Sequence, residues 1–515
     1  MGSRNFCLHP FFPALFVLAV LLVSCQRQKP EGGYRAAELR YGLTTEPVTL
    51  DPLNPRNTAD GRSILFNVFE GLVKPDSSGA LLPAVAESYR IEQNGLVYVF
   101  TLRPGVLFHN GQKLDASDVL FSLDIAAKAG FTGFNRIAAA EITGSGGEPR
   151  SSTSAAGSGE IRITLREPDP EFLPYLTVGI VPENNPDREK NPIGTGPFII
   201  DNYMPQQNLR LVKNPDYWQS GLPRLDRVTI IFAADTDALL TGLRGGNIEG
   251  ASVTGALLPQ LDPEKFDIIP WYSNTVQLLA LNNAHKPLDD LRVRKAVNYA
   301  LDIPQIIETA FYGKGEPSGS PLIPGLKNVY DESLRDPYPR HLGYAKKLLL
   351  EEGYSNGFPL EITVPSNYTM HVDTAQVIVN QLAEAGIRAT IRLVDWATWL
   401  DEVYQGRKYQ ATIISLDAPN VSPRSFLARY HSKAWDNFIN FKSPDYDRIY
   451  NEVLAETDET RRISLYKEAQ RIISENAASV YIQDIIGFRA FAGGSIGGVI
   501  NYPLYVIDFA PMYRK

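Results

Sequence analysis

Alternating strand-type and helix-type segments predict an α/β protein; two stretches carry that prediction, and a third reads as scaffold. In the first, Leu360–Val364 reads as a strand, and Ala375, Ile378, Val379 and Leu382 then fall on one helical face with Gly386 past its end. Ile387, Ala389, Ile391 and Leu393 next alternate as a second strand, and a β-α-β unit of this kind implies a right-handed parallel crossover. In the second, strand Val228–Phe232 runs into a short helix over Thr236–Arg244. The third is Asn191–Trp218, where Asn191-Pro192 and Gly194-Thr195-Gly196-Pro197 force tight turns before the strand Phe198-Ile199-Ile200. Leu209 and Leu211 then alternate with Arg210 and Val212, Asn214-Pro215 stops the strand, and Tyr217-Trp218 supply aromatic anchors. Turn, hairpin and aromatic clamp, with no nucleophile, suit a scaffold better than an active site.

The remaining elements follow in chain order. Leu39–Leu43 reads as a strand, turned by Thr44-Thr45-Glu46-Pro47. Residues 62–75, RSILFNVFEGLVKP, read as an apolar helix closed by Gly71. Ser88–Leu102 reads as a hairpin around Asn94-Gly95, and Phe108-His109-Asn110-Gly111 as a turn. Asp115 is placed to cap a helix whose Asp118 favours the N-terminal dipole. Residues 144–159, GSGGEPRSSTSAAGSG, read as a mobile surface loop inside a hairpin, resumed by strand Ile161–Leu165. Val276, Leu278, Leu279 and Leu281 suit a strand buried on both faces. Asp290 caps a helix with Val293, Ala296, Val297, Ala300 and Leu301 on one face. After the Gly/Pro-rich stretch Gly313–Gly325 comes a helix over Ala345–Glu352. Ala411–Ser415 is a strand running into Leu416-Asp417-Ala418-Pro419-Asn420, and loops at strand ends are where α/β proteins hold ligands. Leu465, Ala469, Ile472 and Ile473 stripe a late helix, and Val480–Ile486 and Val499–Phe509 read as closing strands.

The chain has 515 residues, enough for two or three domains. Its net charge of −8 and the lack of a basic block argue against a nucleic-acid partner. Before Cys25 the only charge is Arg4, and Phe11–Val23 is an apolar run of signal-peptide length, too short to span a bilayer comfortably. It ends Leu22-Val23-Ser24-Cys25, which resembles a lipoprotein cleavage box and implies cleavage before Cys25 and acylation of that residue. Cys7 falls in the removed segment, so no thiol is left for a disulfide or a cysteine metal site. Residues 25–38 read as a polar tether.

Several motifs stand in one order: Leu50-Asp51-Pro52, NVFEGLV (67–73), LRPGVLFHNGQKLDASDVLFSL (102–123), the Asn191–Trp218 stretch and PLDDLRVRKAVNYALD (287–302). In this the chain resembles the extracellular solute-binding proteins of bacterial family 5, which serve oligopeptide, dipeptide and nickel ABC importers. The resemblance implies a type II, two-lobe periplasmic-binding-protein fold with an extra inserted subdomain. Its lobe 1 core would comprise 39–62, 191–270 and 485–515, the inserted subdomain 63–190, and lobe 2 271–484. The two crossings, Trp271, Tyr272 and Asn274 on one and Gln483 and Asp484 on the other, would form the hinge. The implied function is capture of a peptide-like solute by lobe closure and delivery to permease subunits. The implied protein is a monomer, lipid-anchored and extracytoplasmic, with no enzymatic step, cofactor or metal.

The resemblance places Glu46, His371, Trp396, Asp417 and Asn420 at the ligand cleft. For Trp396 the alternative is a core aromatic, and for His371 a solvated residue of the third helix. Peptide-binding relatives carry W-x-x-D, whose aspartate pairs with the ligand's α-ammonium group. Aligning Pro423-Arg424-Ser425-Phe426-Leu427 with the family pattern puts Leu416 at the tryptophan and Pro419 at the aspartate, with Asp417 two residues away. Val403 and Ile413 fall where relatives have carboxylate-facing arginines. A non-peptide solute such as a sugar, an opine-like compound or a metal chelate therefore stays open beside the peptide. A chaperone or signalling receptor on the same fold is a further alternative. Gly493-Gly494-Ser495-Ile496-Gly497 fits the nucleophile-elbow pattern, but no histidine follows Ser495, so a hydrolase of that type is rejected. None of the six histidines is paired at metal-ligand spacing.

Overall fold

In the computed structural model the described residues are 37–57, 59–144, 160–417 and 422–515. The leader, Cys25, the tether up to residue 36, residues 145–159 and Asn420 lie outside the described residues. Among the described residues, eleven strands form one mixed sheet. They are β1 (Glu38–Leu43), β2 (Phe198–Met204), β3 (Asn208–Lys213), β4 (Arg227–Phe232), β5 (Gly250–Val253), β6 (Phe266–Leu281), β7 (Gly315–Pro317), β8 (Pro359–Pro365), β9 (Arg388–Val394), β10 (Ala411–Asp417) and β11 (Ser479–Ala492). Their spatial order is β9-β8-β10-β6-β11-β5-β1-β4-β3-β2, with β7 on β11. Strands β8 and β9 pair in parallel, joined by the helix Thr369–Glu384, as the alternating pattern around Gly386 predicts. Ala86–Glu92, Val97–Leu102, Ile137–Thr143 and Glu160–Leu165 form a separate antiparallel sheet.

The long strands β6 and β11 hold the sheet together. They pair antiparallel from Phe266–Ala492 to Ala280–Ser479. The ladder shifts register twice: narrowly between Gln277 and Leu278, and widely in its middle, where Tyr272 pairs with Ile486 and the next pair is Val276 with Asp484. Three residues of β6 thus face one of β11, a bulge that loosens and twists a ladder. Asn274, inside it, adopts a left-handed φ of 59°. Buried apolar side chains sort on either side of this break. One group draws on residues 39–266 and 488–512, and the other on residues 276–482.

The Asn191–Trp218 stretch earns its glycines by contact with residues 67–68. Gly196 N–H donates to the Val68 carbonyl (2.9 Å) and Phe198 N–H to that of Asn67 (3.0 Å). A Cβ on Gly194 or Gly196 would sit 2.0 or 2.6 Å from Val68 O, so backbone meets backbone only without a side chain. The predicted cap at Asp115 is a reciprocal box: Asp115 accepts from Ser117 and Asp118 N–H, and Asp118 accepts from Asp115 N–H.

Two expectations need correction. Residues 62–75 are not one helix: the helix spans Ala59–Leu65, and Val73–Pro75 is a strand. Asn67 competes with the helix, donating from Nδ2 to the carbonyl of Ile507 (2.7 Å). Its Oδ1 accepts from Phe509 N–H (2.8 Å). The same contacts correct the second expectation. Residues 499–509 form no strand, because side chains satisfy their backbone; Ile507 N–H donates to Ser63 Oγ (2.8 Å). Ser495 of the glycine-rich turn donates to the Ala492 carbonyl.

Candidate functional site

A cavity of about 460 Å³ opens beside the β6–β11 bulge. Its walls come from residues on both sides of the break in the ladder. Phe69, Glu70, Tyr217, Tyr502 and Asp508 line one side, and Asn274, Tyr368, His371, Ser415 and Asp417 the other. Aromatic and other apolar side chains make up most of the lining, with charged and polar groups set among them, the usual make-up of a small-molecule site.

Strand β10 carries Ser415 and Asp417 to its end, and the first turn of the Thr369–Glu384 helix carries His371. His371 is 2 % exposed. Gln277 Nε2 donates to its Nδ1 (3.1 Å) and to Thr374 Oγ1 (3.1 Å), while Gln277 Oε1 accepts from Gln483 Nε2 (2.9 Å). With Nδ1 an acceptor, the proton of the neutral ring sits on Nε2. Burial pushes the imidazole down to about 4, so the ring is neutral at pH 7.

On the facing wall Glu70 is buried and fully engaged. It accepts from Tyr217 Oη (2.8 Å), Trp218 Nε1 (2.7 Å) and Thr195 Oγ1 (3.3 Å), with Lys74 Nζ at 3.7 Å. Asp508 accepts from Tyr502 Oη (2.7 Å) and Ala510 N–H (3.0 Å). Burial pushes both carboxyls up, and their hydrogen bonds oppose it.

Of the sequence-derived candidates, His371, Asp417, Trp271 and Asn274 line this cavity. Gln483 reaches it through Gln277 and His371, and Asp484 is buried on β11 beside it in sequence. Tyr272 is 37 % exposed and outside the lining. Trp396 is one ring removed: it stacks on Trp399 (5.1 Å, 5°) and meets Tyr368 edge-on (5.6 Å). Glu46 is elsewhere, accepting from Gln206 N–H (2.8 Å) and Tyr203 Oη (3.2 Å). Leu416, Val403 and Ile413 are buried apolar side chains, so the positions aligned with the relatives' tryptophan and arginines serve packing here. Glu70, Asp508, Tyr502 and Tyr505 were not among the candidates. The readable signal was an acid isolated in an apolar run, Glu70 in NVFEGLV and Asp508 in VIDFA.

Beyond the cavity a charge cluster ties the two groups together. Arg424, at the start of the helix Pro423–Leu427, makes a two-pronged pair with Asp169, one contact at 3.0 Å. They are 4 % and 1 % exposed. Arg136 reaches the same carboxylate (2.7 Å), and Ser422 and Arg462 hold Glu171 (2.7 and 3.4 Å). Among the described residues no group of three or more His, Cys, Asp or Glu could hold a metal ion, and no helix is long and apolar enough to cross a membrane.

Residues 80–438 match the family model for the bacterial extracellular solute-binding proteins, family 5 (middle). Heme-binding protein A of Haemophilus influenzae is 27 % identical over 472 residues, covering 81 % of this chain and 84 % of that protein. Among solved structures, the chain resembles the ABC transporter-associated periplasmic binding protein DppA of Helicobacter pylori in complex with peptide STSA. That likeness has a TM-score of 0.74 and 24 % identity, and covers 93 % of this chain and 98 % of the other. NikZ of Campylobacter jejuni in complex with Ni(L-His) is similar at a TM-score of 0.73 and 21 % identity, over 92 % and 97 % of the two chains.

Proposed function

We infer the function from one premise: this chain belongs to the bacterial extracellular solute-binding proteins, family 5. It is a solute-binding protein of an ABC importer with the two-lobe fold of that family. We propose that its solute is peptide-like, held in the cavity beside the β6–β11 bulge and passed to permease subunits. The observation that carries this reading is that the walls draw on residues from both sides of the break in the β6–β11 ladder. A solute touching both is held fully only when they are together, so binding shifts the population toward the closed state.

In this reading residues 39–62, 191–270 and 485–515 form lobe 1, 63–190 its inserted subdomain and 271–484 lobe 2. The bulge between Tyr272 and Val276, opposite Asp484–Ile486, is the hinge. Asp417, at the exposed end of β10, pairs with a ligand ammonium group, and His371 Nε2–H donates to a ligand oxygen. Asn420, three residues after Asp417 in the sequence, is a further proposed ligand contact. Acylated Cys25 anchors the protein extracytoplasmically; several lipid chains hold stably where one holds weakly. No covalent step is assigned to the chain.

Native mass spectrometry of the purified protein tests the ligand class. A released mass that fragments as a peptide is expected; a carbohydrate, opine or metal-chelate mass overturns the peptide reading. The non-peptide reading has its own support, since Val403 and Ile413 are buried where carboxylate-facing arginines would stand. The relatives' range, from peptide STSA on DppA to Ni(L-His) on NikZ, fits either.

A further inference from the structure

A second pocket, of about 770 Å³, adjoins the solute cavity. Four residues line both spaces: Trp271, Met370, Ile485 and Tyr505. The two are therefore neighbours across a partition made of these side chains.

Three of the four are held in place. Trp271 packs on Tyr505 (4.9 Å between rings) and beneath Arg489 (5.3 Å). Gly487 is its paired residue on β11, and a Cβ there would stand 2.4 Å from the indole. Tyr505 donates its hydroxyl to Asp60. Ile485 is β-branched and pairs with Gly315 of β7, so both its backbone and its χ1 are restricted. Met370 differs. It is the second residue of the Thr369–Glu384 helix, half-buried, unbranched, and without a polar group to anchor it. Methionine has three rotatable bonds and adapts to irregular gaps, and rotamer changes of partly exposed side chains cost little time.

We propose that the solute site is two compartments in series and that Met370 is the gate between them. This rests on the peptide reading above. A short peptide ends at the partition; a longer one displaces the Met370 thioether and lays its distal residues in the second pocket. The chemistry of that pocket suits such an occupant. It offers both charge signs, in Lys314 and Asp373, and amides in Gln376 and Asn380, against the apolar Phe311 and Val377. A mixed lining accepts varied side chains while the amides meet backbone groups, which is what a sequence-tolerant peptide site requires. Met370 is thus a specificity-determining residue for solute length.

The test offers the ligand-stripped protein an equimolar pool of alanine-rich peptides from two to eight residues and reads the bound lengths by native mass spectrometry. M370A, which widens the opening, is expected to move the bound distribution toward longer peptides by at least one residue. M370W, which plugs it, is expected to remove the longer members at least tenfold relative to the shorter ones. Far-UV circular dichroism and the melting temperature of each variant report whether the helix is intact. Identical length distributions in wild type, M370A and M370W overturn the gate while leaving the peptide reading in place. Binding of no peptide by wild type overturns the peptide reading itself, and the gate with it.

Discussion

Replacing Arg424 with methionine tests what holds the closed state. The guanidinium makes its two-pronged contact with Asp169 between side chains 4 % and 1 % exposed, joining the 63–190 region to the 271–484 region. Methionine keeps the aliphatic stem and removes the charge. Stripping one partner from a buried ion pair costs about 3–5 kcal/mol, because the other charge stays buried. Arg136 still reaches Asp169 (2.7 Å), which places the cost at the lower end, about 3 kcal/mol. If the pair forms only on closure, that is about a hundredfold loss in the ratio of closed to open molecules. Paired dyes on cysteines replacing Lys128 and Arg448, in a background with Cys7 and Cys25 replaced, read that ratio by single-molecule energy transfer. A marked fall in the high-transfer population is expected for R424M, with R136M affecting it less because Arg136 is 43 % exposed. An unchanged distribution in R424M would show that the pair survives opening and is not a clasp.

Other outcomes follow from the same geometry. His109 and His371 are each pushed down to about 4 by burial, so between about 4 and the ordinary value of 6.5 the unfolded chain binds more protons than the folded one. Stability contributed by these rings is present above 6.5 and is lost as pH falls toward 4, by about 3 kcal/mol each at most. Glu70 and Asp508, pushed up by burial, act with the opposite sign, so the difference between denaturation curves of wild type and of H109Q/H371Q isolates the histidines; parallel curves between pH 4 and 7 would refute the assignment. Asp417→Ala should weaken an amine-bearing solute more than tenfold by calorimetry, and an unchanged dissociation constant would remove Asp417 from the site. Cys25→Ala should move the protein from the detergent phase to the aqueous phase on phase separation, and continued detergent partitioning would count against acylation.

Local signals were legible wherever neighbours in sequence are neighbours in space. The Asp115–Asp118 box, the hairpin at Asn94-Gly95 and the β8-helix-β9 unit depend on residues a few positions apart, and all are present. The glycines of Asn191–Trp218 were legible as turns, but their reason, the approach of Gly194 and Gly196 to Val68, is a contact more than a hundred residues away. Long-range contacts also explain the failures. Asn67 turns from helix propagation to the backbone of Ile507 and Phe509, which ends one predicted helix and dissolves one predicted strand. At the site, alignment brought His371 and Asp417 to the cavity but also nominated Glu46, which Tyr203 and Gln206 hold elsewhere. Asp169 and Arg424 carry no local pattern at all, because each is a lone charge until the fold sets them together.

The claim that two halves shut on a solute by bending at the Tyr272–Val276 bulge is tested most directly by small-angle X-ray scattering. The protein is stripped of co-purified ligand by unfolding and refolding, then given the released ligand back. Ligand return should contract the radius of gyration and shorten the maximum dimension. Curves that superimpose with and without a ligand shown to be bound would contradict closure.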